Sequence, residues 1–504
     1  MAQRSAQDVL QKREKPFLTY KWMRHFFTED VLDHNRSIIE LQQRAVWIAL
    51  AIFLQSLNEI DHNWYFPFIK PFGSLIPFAL ILGSFYALWR ALRPAKEPSS
   101  QPAHSLSSVK DQKGPKLWQR IVLVLTLVLT IAGAINLGWG VVLSFLPARF
   151  SNDGTSLDTN AAILLVEGHN PYTDSNIPDL LRRFDNIHPE WTTPLRRGQF
   201  AGRLDYPSMA EIQSILNTSL KANDVPEFEA RVSYPALSFL TLVPFVLIQD
   251  YNVLPFYLLS YLLLVFIAWK VARPELRPWV LLLSLANVPM WSSTVGGNLD
   301  VFYTLLVVLA WLKRDQRWTS AVFFGLAMAS KQIAWYFMPF YIIMTLRHYG
   351  WKEALYRSVI SGGLALAINL PFIVWNYHTW LAGVMAPVAD PMFPMGVGLV
   401  GLSVTHLIPY LPERIYSLLE YGAMLLSLIW YWRICLKRPE AALLLAIMPL
   451  FLAWRSLSSY FYCVAFPLYV VLAAQKNPSL VRVFSFLHLS KAKDKGSVPS
   501  VVGG

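Results

Sequence analysis

Twelve apolar stretches, separated by short polar segments, run along most of the chain. Several reach the roughly 20 residues that an α-helix needs to cross the hydrocarbon layer of a membrane. The stretches cover residues 44–57, 73–92, 118–147, 234–269, 278–294, 299–313, 319–346, 357–376, 396–411, 416–434, 440–453 and 458–474. Because the longest runs have room for two short helices each, the pattern predicts an all-α, polytopic membrane bundle of about 11–14 transmembrane helices.

Composition agrees with a bilayer as solvent, since 54% of the 504 residues are hydrophobic and only 15% are charged. An ordinary globular domain has about 25% charged residues. The formal net charge of +12 comes from basic residues beside the apolar stretches, which is typical of cytoplasmic loop anchors and argues against nucleic-acid binding. Cys435 and Cys463 lie inside apolar stretches, so they indicate neither a disulfide framework nor a metal site.

Basic clusters set the orientation, because Lys and Arg are enriched in cytoplasmic loops. The clusters are RALRPAK, KVARPELR, KRDQR, RHYGWKEALYR, RICLKR and KAKDK. The resulting segments are a cytoplasmic N-terminal arm (1–43), an N-terminal transmembrane hairpin (44–92), a cytoplasmic linker (93–117), a first core transmembrane helix (118–147), an extracytoplasmic loop (148–233), a transmembrane core (234–474) and a cytoplasmic tail (475–504). The arm lacks the apolar region of a cleavable signal, so the first transmembrane helix is expected to direct insertion.

This orientation places four rare polar residues of the apolar region on the extracytoplasmic side. Asn298 and Asp300 lie in the GGNLD turn, Lys331 falls near the middle of the run 319–346, and Arg455 lies in the WRSLSS turn. Ionisable groups at membrane depth are costly and therefore functional candidates. The alternative for each residue is a side chain that snorkels to the interface or caps a helix end.

Four further stretches are interpreted from the same orientation. The loop 377–395 and the turn 454–459 are expected outside. The run 234–269 has to cross an odd number of times, which predicts an additional interfacial helix in it, and 396–411 is expected to re-enter the membrane without crossing.

The extracytoplasmic loop opens with a cap at 151–156 and a predicted helix at 157–166, which has one apolar side and ends at Gly168. Asp153 and Asp158 flank the start of that helix. A carboxylate just above the bilayer can act as a general base toward an attacking hydroxyl, whereas the alternative is a capping or loop residue. The HNPYTD sequence that follows is typical of a proline turn. No phosphate-binding glycine loop, metal-ligand spacing or nucleophile elbow is present in the sequence.

Five stretches together resemble the polyprenyl-phosphate-dependent glycosyltransferases of the GT-C superfamily, and among them glycosyltransferase family 87, the membrane mannosyl- and arabinofuranosyltransferases. The stretches are NDGTSLDTNAAILLVEGHNPY, YPALSFLTLVPF, GGNLDVFYTLLVVLAW, GLAMASKQIAWYFMPFYII and LAWRSLSSYFYCVAFPLYVV, which span residues 150–474. One departure concerns the segment between the aspartate and the Ala161–Ala162 pair, where the family often has two aromatic residues and this chain has 157–159, Leu-Asp-Thr.

The resemblance implies an inverting, GT-C-like transferase that takes a mannose- or arabinofuranose-class sugar from a polyprenyl monophosphate. It implies Asp153 as the catalytic base, with Asp158 as the second choice, and a donor phosphate neutralised by Lys331 and Arg455. The implied substrate-binding residues are Asn170, Tyr172, Asn298, Asp300, Lys331, Arg455 and Tyr460. The acceptor would be a lipid-linked or cell-envelope glycan at the cell membrane. No cofactor is implied; some GT-C enzymes use a divalent cation, but this loop has no carboxylate cluster, which argues against a metal.

Two other functions share the apolar spans and the outer cations. A transporter or flippase of lipid-linked sugars tends to show repeats and broken helices in matching halves, and no such symmetry is present in this sequence. A polysaccharide ligase or polymerase would place its large outer loop late in the chain, whereas this loop follows the third apolar stretch.

Overall fold

The computed structural model describes residues 38–63, 73–93, 117–148, 150, 152–184, 192–222 and 227–474. These residues form helices joined by turns, and apart from isolated bridges their one β-sheet is a pair of two-residue strands. The predicted all-α membrane class is confirmed. Most of the N-terminal arm, most of the linker and the whole C-terminal tail lie outside the described residues.

Three helices precede the long loop: α1 (Ile38–Asn63), α2 (Leu75–Leu92) and α3 (Leu117–Leu143). The loop carries α4 (Asp153–Val166), α5 (Ile177–Arg183) and α6 (Met209–Ala222). The middle of the chain forms α7 (Leu237–Leu240), α8 (Val243–Leu247), α9 (Leu254–Val271), α10 (Arg277–Ala286), α11 (Val288–Val295), α12 (Asp300–Leu312), α13 (Arg317–Ser330), α14 (Met338–Tyr349), α15 (Trp351–Trp375) and α16 (Tyr377–Ala389). The last part contains β1 (Met395–Gly396), α17 (Leu399–Val404), α18 (Glu413–Ile434), α19 (Ala442–Leu445), β2 (Arg455–Ser456), α20 (Ser459–Tyr462) and α21 (Ala465–Ala473).

Among the described residues, four helices are long and apolar enough to cross a membrane: α2, α3, α9 and α15. In α3 the large side chains of Ile131, Ile135 and Trp139 are exposed, as expected for a helix that faces lipid. Its other side approaches α10 closely, because a Cβ on Gly133 would collide with the carbonyl of Leu285. The predicted total of about 11–14 transmembrane helices stays a prediction.

The N-terminal hairpin of α1 and α2 is part of the main hydrophobic core. Buried Arg44 donates through Nη1 to the carbonyl of Ala91 at 2.9 Å, which joins the two helices. Gln55, also buried, donates to Ser84 Oγ at 2.9 Å and to the carbonyl of Phe461 at 3.2 Å. The hairpin is thereby bonded to the last part of the chain, although the two are about 400 positions apart.

Two long apolar runs are divided as the sequence predicts. The run 319–346 breaks at Lys331, which is extended (φ −154°, ψ 140°) and is followed by a 3-10 helix at Gln332–Phe337. The run 234–269 contains the two short helices α7 and α8 before the long helix α9. A further break, which the sequence did not predict, falls at Asn287, whose side chain accepts a hydrogen bond from Met290 N at 3.3 Å and so caps α11.

Three local predictions were wrong. The loop expected at 377–395 is helical over α16, since Asn376 caps it by accepting a hydrogen bond from Thr379 N at 3.2 Å. The turn expected at 454–459 contains β2, which pairs in parallel with β1. The helix expected at 157–166 begins four residues earlier, because Asn152 supplies its N-cap, and α4 is buried on nearly all sides rather than on one apolar side.

Candidate functional site

The first turn of α4 is tied to the turn that precedes α12. Asn152 Oδ1 accepts a hydrogen bond of 2.8 Å from Thr155 N, and Asn152 Nδ2 donates to the carbonyl of Gly296 at 2.7 Å. The Thr155 hydroxyl donates to the carbonyl of Gly297 at 2.5 Å. Gly297 has a φ of +74°, a conformation that glycine adopts without the steric cost of a side chain. These bonds hold the start of the loop helix beside the segment that enters the core.

Asp153 is the first residue of α4 and is only partly buried. Its Oδ1 accepts a hydrogen bond from Gly154 N at 2.9 Å, and its Oδ2 accepts one from the Thr193 hydroxyl. A carboxylate at a helix N-terminus is favoured by the helix dipole. Asp153 is therefore a fixed, ionisable carboxylate that keeps some exposed surface for a proton-bearing ligand.

Asp158, the second carboxylate of α4, lies in the packing between α4 and α7. It is 1% exposed, and its Oδ1 accepts a hydrogen bond of 2.9 Å from the Ser238 hydroxyl. Its Oδ2 has no hydrogen-bond partner among the described residues. Burial raises the pKa of Asp158 from 3.8 to about 7, although the Ser238 hydrogen bond and the charge of Lys331 oppose this shift. Asp158 is thus more enclosed than Asp153 and holds its proton more tightly than an ordinary carboxyl.

Lys331 forms the centre of a buried polar cluster. Its Nζ lies 2.6 Å from Asp300 Oδ1 and 3.4 Å from Asn298 Oδ1, and it sits 5.0 Å from the centroid of the Tyr234 ring. Asn298 Oδ1 also accepts a hydrogen bond from Asp300 N at 3.2 Å. The structure therefore brings three of the candidate residues together, with the ammonium group already paired to a carboxylate.

Arg455 is held by the short parallel sheet. It lies in β2 opposite Met395 of β1, and its guanidinium contacts the sulfur of Met392. Among the described residues Arg455 forms no salt bridge, so its charge is not neutralised as that of Lys331 is. A planar guanidinium in this state can bind two phosphate oxygens at once.

Tyr460 links the separate parts of the cluster. It lies in α20, and the charged groups of Arg455, Lys331, Asp300 and Asp153 are all within electrostatic range of its hydroxyl. The three chain regions that carry these residues are distant in sequence. The structure thus gathers a carboxylate from the loop and two cations from the C-terminal half into one site.

Asn170 and Tyr172, two of the predicted substrate-binding residues, form contacts within the protein. Asn170 Oδ1 accepts a hydrogen bond from Tyr172 N at 3.0 Å, which closes the proline turn. Tyr172 is fully buried, donates to the carbonyl of Tyr234 at 2.8 Å, and has its ring centroid 5.8 Å from those of Phe239 and Phe372. Asn170 therefore shapes the turn and Tyr172 packs the loop against the helices that carry Phe239 and Phe372, and the assignment of both to substrate binding stays a prediction.

Extended segments of the loop connect Asp153 with Arg455. Residues 193–195 pair with 227–229, with Leu195 N donating to the carbonyl of Glu227 at 2.7 Å and Glu229 N to that of Thr193 at 2.9 Å. On the other side, Leu195 forms an antiparallel bridge with Met392, which contacts Arg455. These pairings join the segment that contacts Asp153 to the segment that contacts Arg455.

Glu229 is a member of the site that the sequence analysis missed. It is 5% exposed, and the charges of Asp153, Arg455 and Asp390 all act on it. Burial raises the pKa of Glu229 from 4.5 to about 8; Asp153 adds to this shift, whereas Arg455 and a hydrogen bond from the Ser233 side chain oppose it. Tyr206 and Tyr234 also lie within electrostatic range of Asp153. No local motif marks Glu229, because its place depends on the pairing of 193–195 with 227–229.

The ranges that the structure describes contain no cluster of metal-ligating side chains. Within them, no group of three or more His, Cys, Asp or Glu side chains could hold a metal ion. The expectation that the site works without a metal stays a prediction.

Comparison with known families gives a match over the second half of the chain. The sequence model of glycosyltransferase family 87 matches residues 233–459, slightly less than half of the chain. This confirms the resemblance inferred from the sequence. The matched range contains Asn298, Asp300, Lys331 and Arg455, whereas Asp153 lies before it. Neither the curated proteins nor the solved structures contain a significant match.

Proposed function

We propose that this chain, whose residues 233–459 match the model of glycosyltransferase family 87, transfers a sugar from a polyprenyl monophosphate to a glycan acceptor with inversion. The observation that carries the proposal is the joint position of Asp153, Lys331 and Arg455 around Tyr460. A glycosyl transfer from a lipid phosphate needs a base on one side of the reacting carbon and positive charge on the other. This site offers both.

In the proposed reaction an acceptor hydroxyl attacks the anomeric carbon while Asp153 takes its proton. The bond from that carbon to the phosphate oxygen breaks, and its electron pair stays on the leaving polyprenyl phosphate. A single in-line displacement inverts the anomeric configuration. Protein residues supply the base and the countercharge, and the proposal includes no cofactor.

Arg455 and Lys331 contribute unequally to the phosphate in this account. Arg455 has no carboxylate partner among the described residues, so its full charge and two donors are available to the leaving oxygens. Lys331 is paired with Asp300 at 2.6 Å, and its role is to position the polar cluster and to add a weaker field. Asn298 and Asp300 line the side of the site where the sugar would bind.

The proposed substrates and location follow from the family resemblance. The donor sugar belongs to the mannose or arabinofuranose class, and the acceptor is a lipid-linked or cell-envelope glycan. The enzyme is a multi-pass protein of the cell membrane, with its site on the extracytoplasmic face. The donor lipid reaches the site from between the helices.

The test is a transfer assay with the purified full chain in lipid nanodiscs. Radiolabelled polyprenyl-phosphate mannose and polyprenyl-phosphate arabinofuranose are offered separately, with nucleotide-linked forms of the same sugars as controls and an extract of glycolipids as acceptor. We expect transfer from one lipid phosphate, none from the nucleotide sugars, and a product of inverted anomeric configuration by NMR. Transfer from a nucleotide sugar, or none from either lipid donor by folded protein, contradicts the proposal and makes lipid-sugar transport the next activity to assay.

A further inference from the structure

Glu229 lies between the two ends of the proposed reaction. Its backbone N–H donates to Thr193 at 2.9 Å, and the hydroxyl of that same Thr193 donates to Asp153. Toward the other end, Leu195 bridges to Met392, the residue that contacts Arg455. The charges of Asp153 and Arg455 both reach the Glu229 carboxyl. Because the reacting carbon has to lie between base and phosphate, Glu229 borders the space for the transferred sugar.

One oxygen of Glu229 lacks a partner. The side chain is only 5% exposed, and although the Ser233 hydroxyl acts on the carboxyl group, Oε1 makes no hydrogen bond to any described residue. An unsatisfied buried polar atom is energetically unfavourable, and native proteins satisfy nearly all such atoms. An orphan oxygen beside a candidate substrate site is therefore a position at which a ligand hydroxyl can complete the hydrogen bonding.

From these contacts we infer that Glu229 binds a ring hydroxyl of the donor sugar and contributes to the choice of sugar. The inference rests on the proposed transferase function and adds a residue outside the range that the family matches. Asp153 has the different task of deprotonating the acceptor. A carboxyl that forms a hydrogen bond to one hydroxyl discriminates against sugars in which that hydroxyl is absent or inverted, because its buried oxygen would again be unpaired.

The protonation state of Glu229 fits this role. Burial and the nearby Asp153 raise its pKa to about 8, so the group is largely neutral at pH 7. A neutral carboxyl can donate through its O–H and accept through its carbonyl oxygen, which matches the donor and acceptor character of a sugar hydroxyl. It also places no second negative charge beside Asp153.

The test combines variants with modified donors. Wild type, Glu229→Ala and Glu229→Gln are assayed in nanodiscs with whichever polyprenyl-phosphate sugar the wild type uses and with its monodeoxy analogues. Glu227→Ala is the matched control, since Glu227 is equally buried two residues away but accepts its hydrogen bond from Gln199 N at 3.3 Å. Size-exclusion profiles and thermal unfolding show whether each variant is folded.

We expect Glu229→Ala to lower kcat/KM with the intact donor by about 10-fold to 100-fold, as for loss of one buried polar contact. With the deoxy donor that lacks the hydroxyl bound by Glu229, the kcat/KM values of wild type and Glu229→Ala should differ by less than about twofold, because neither enzyme can form that hydrogen bond. Glu229→Gln should keep most of the rate, because an amide can still donate and accept. If Glu229→Ala does not fold, the same comparison is made with Glu229→Asp, whose shorter side chain withdraws the carboxyl group.

An equal loss with every donor would overturn the inference, because it would show a role in holding the loop only. So would full activity of Glu229→Ala with the intact donor. Failure of the proposed function gives a different result, namely no transfer by the wild type from any polyprenyl-phosphate sugar, and it would remove the inference as well.

Discussion

Lys331 and Asp300 form an ion pair of 2.6 Å inside the protein, with exposed side-chain fractions of 6% and 1%. The pair joins the break between α13 and the following 3-10 helix to the first turn of α12. Asp300 Oδ2 has no partner among the described residues, so Lys331 is its main source of compensation.

The pair predicts an asymmetric effect of mutation. Lys331→Met should destabilise the protein by about 3–5 kcal/mol, because it leaves the carboxylate of Asp300 buried and unpaired. Adding Asp300→Asn removes that charge and should recover a large part of the loss. Thermal unfolding of the single and double variants in one detergent checks this. Lys331→Met as stable as the wild type would show that the pair does not have the structural role assigned to it.

Asp158 predicts a pH effect on stability. Its pKa in the folded protein is raised to about 7 from 3.8, so between these values the folded state holds a proton that the unfolded state has released. Stability should therefore fall as pH rises through this window and level off above pH 7, by up to about 4 kcal/mol at ~1.4 kcal/mol per pKa unit. Asp158→Asn cannot ionise and should lose this dependence.

The measurement is thermal unfolding of wild type and Asp158→Asn from pH 4 to pH 8. The variant should gain stability over the wild type as pH rises, and its transfer rate at pH 7 should stay within about threefold, since the amide oxygen can still accept from Ser238. A stability difference that does not change with pH would show that Asp158 is not held protonated.

The contacts of Glu59 predict that α1 supports the segment that carries Arg455 and Tyr460. Its two carboxylate oxygens accept hydrogen bonds from Ser292 at 2.7 Å and from Tyr462 at 2.6 Å. Tyr462 lies in α20 with Tyr460, close to Arg455 in sequence. Glu59→Ala and Tyr462→Phe should each cost about 1.5–3 kcal/mol of stability, typical of a hydrogen bond to a charged group, and both should weaken use of the donor.

A double-mutant cycle separates this contact from general damage. The double variant should be little worse than the worse single variant, because both remove the same bond. Leu57→Ala, on an exposed part of α1, is the control and should have almost no effect. If the two losses of stability add in the double variant, or the two losses of donor use multiply, the two residues act independently.

The extracytoplasmic position proposed for the loop predicts a labelling pattern. Both native cysteines are buried, so an added cysteine can be detected against a low background. Ala201→Cys in the loop and Gln316→Cys between α12 and α13 are both at exposed positions. A membrane-impermeant maleimide applied to intact cells should label Ala201→Cys. It should label Gln316→Cys only after the membrane is permeabilised. The reverse pattern would place the loop in the cytoplasm.

The sequence predicted well what depends on local hydropathy. Most apolar runs became helices, and the division of the run 319–346 near Lys331 was predicted because the run has to cross twice between two cytoplasmic clusters. The helix α16 was missed because its first residues, Tyr-His-Thr-Trp, are typical of an interfacial loop and the cap at Asn376 was not recognised. The strand at Arg455 could not be predicted, since it exists only through pairing with β1, 60 residues earlier.

The candidate site, too, could be predicted from local sequence patterns only in part. Asn298, Asp300, Lys331 and Arg455 were predicted to share one side of the bundle, and the structure gathers them, but the pairing of Lys331 with Asp300 depends on tertiary packing. Glu229 was missed because a chain of contacts through Thr193 brings it to Asp153. Local patterns predict the helices that carry a site, whereas contacts between distant segments decide which side chains complete it.

The most direct test of the account is single-turnover transfer by Asp153→Asn, compared with wild type and with the matched variant Asp158→Asn, using the polyprenyl-phosphate sugar that the wild type accepts. If Asp153 is the base, its variant should fold and bind donor but lose about 100-fold or more in the rate of transfer, while Asp158→Asn stays near wild type. A fast Asp153→Asn together with an inactive, folded Asp158→Asn would contradict the account and move the base to the buried carboxyl.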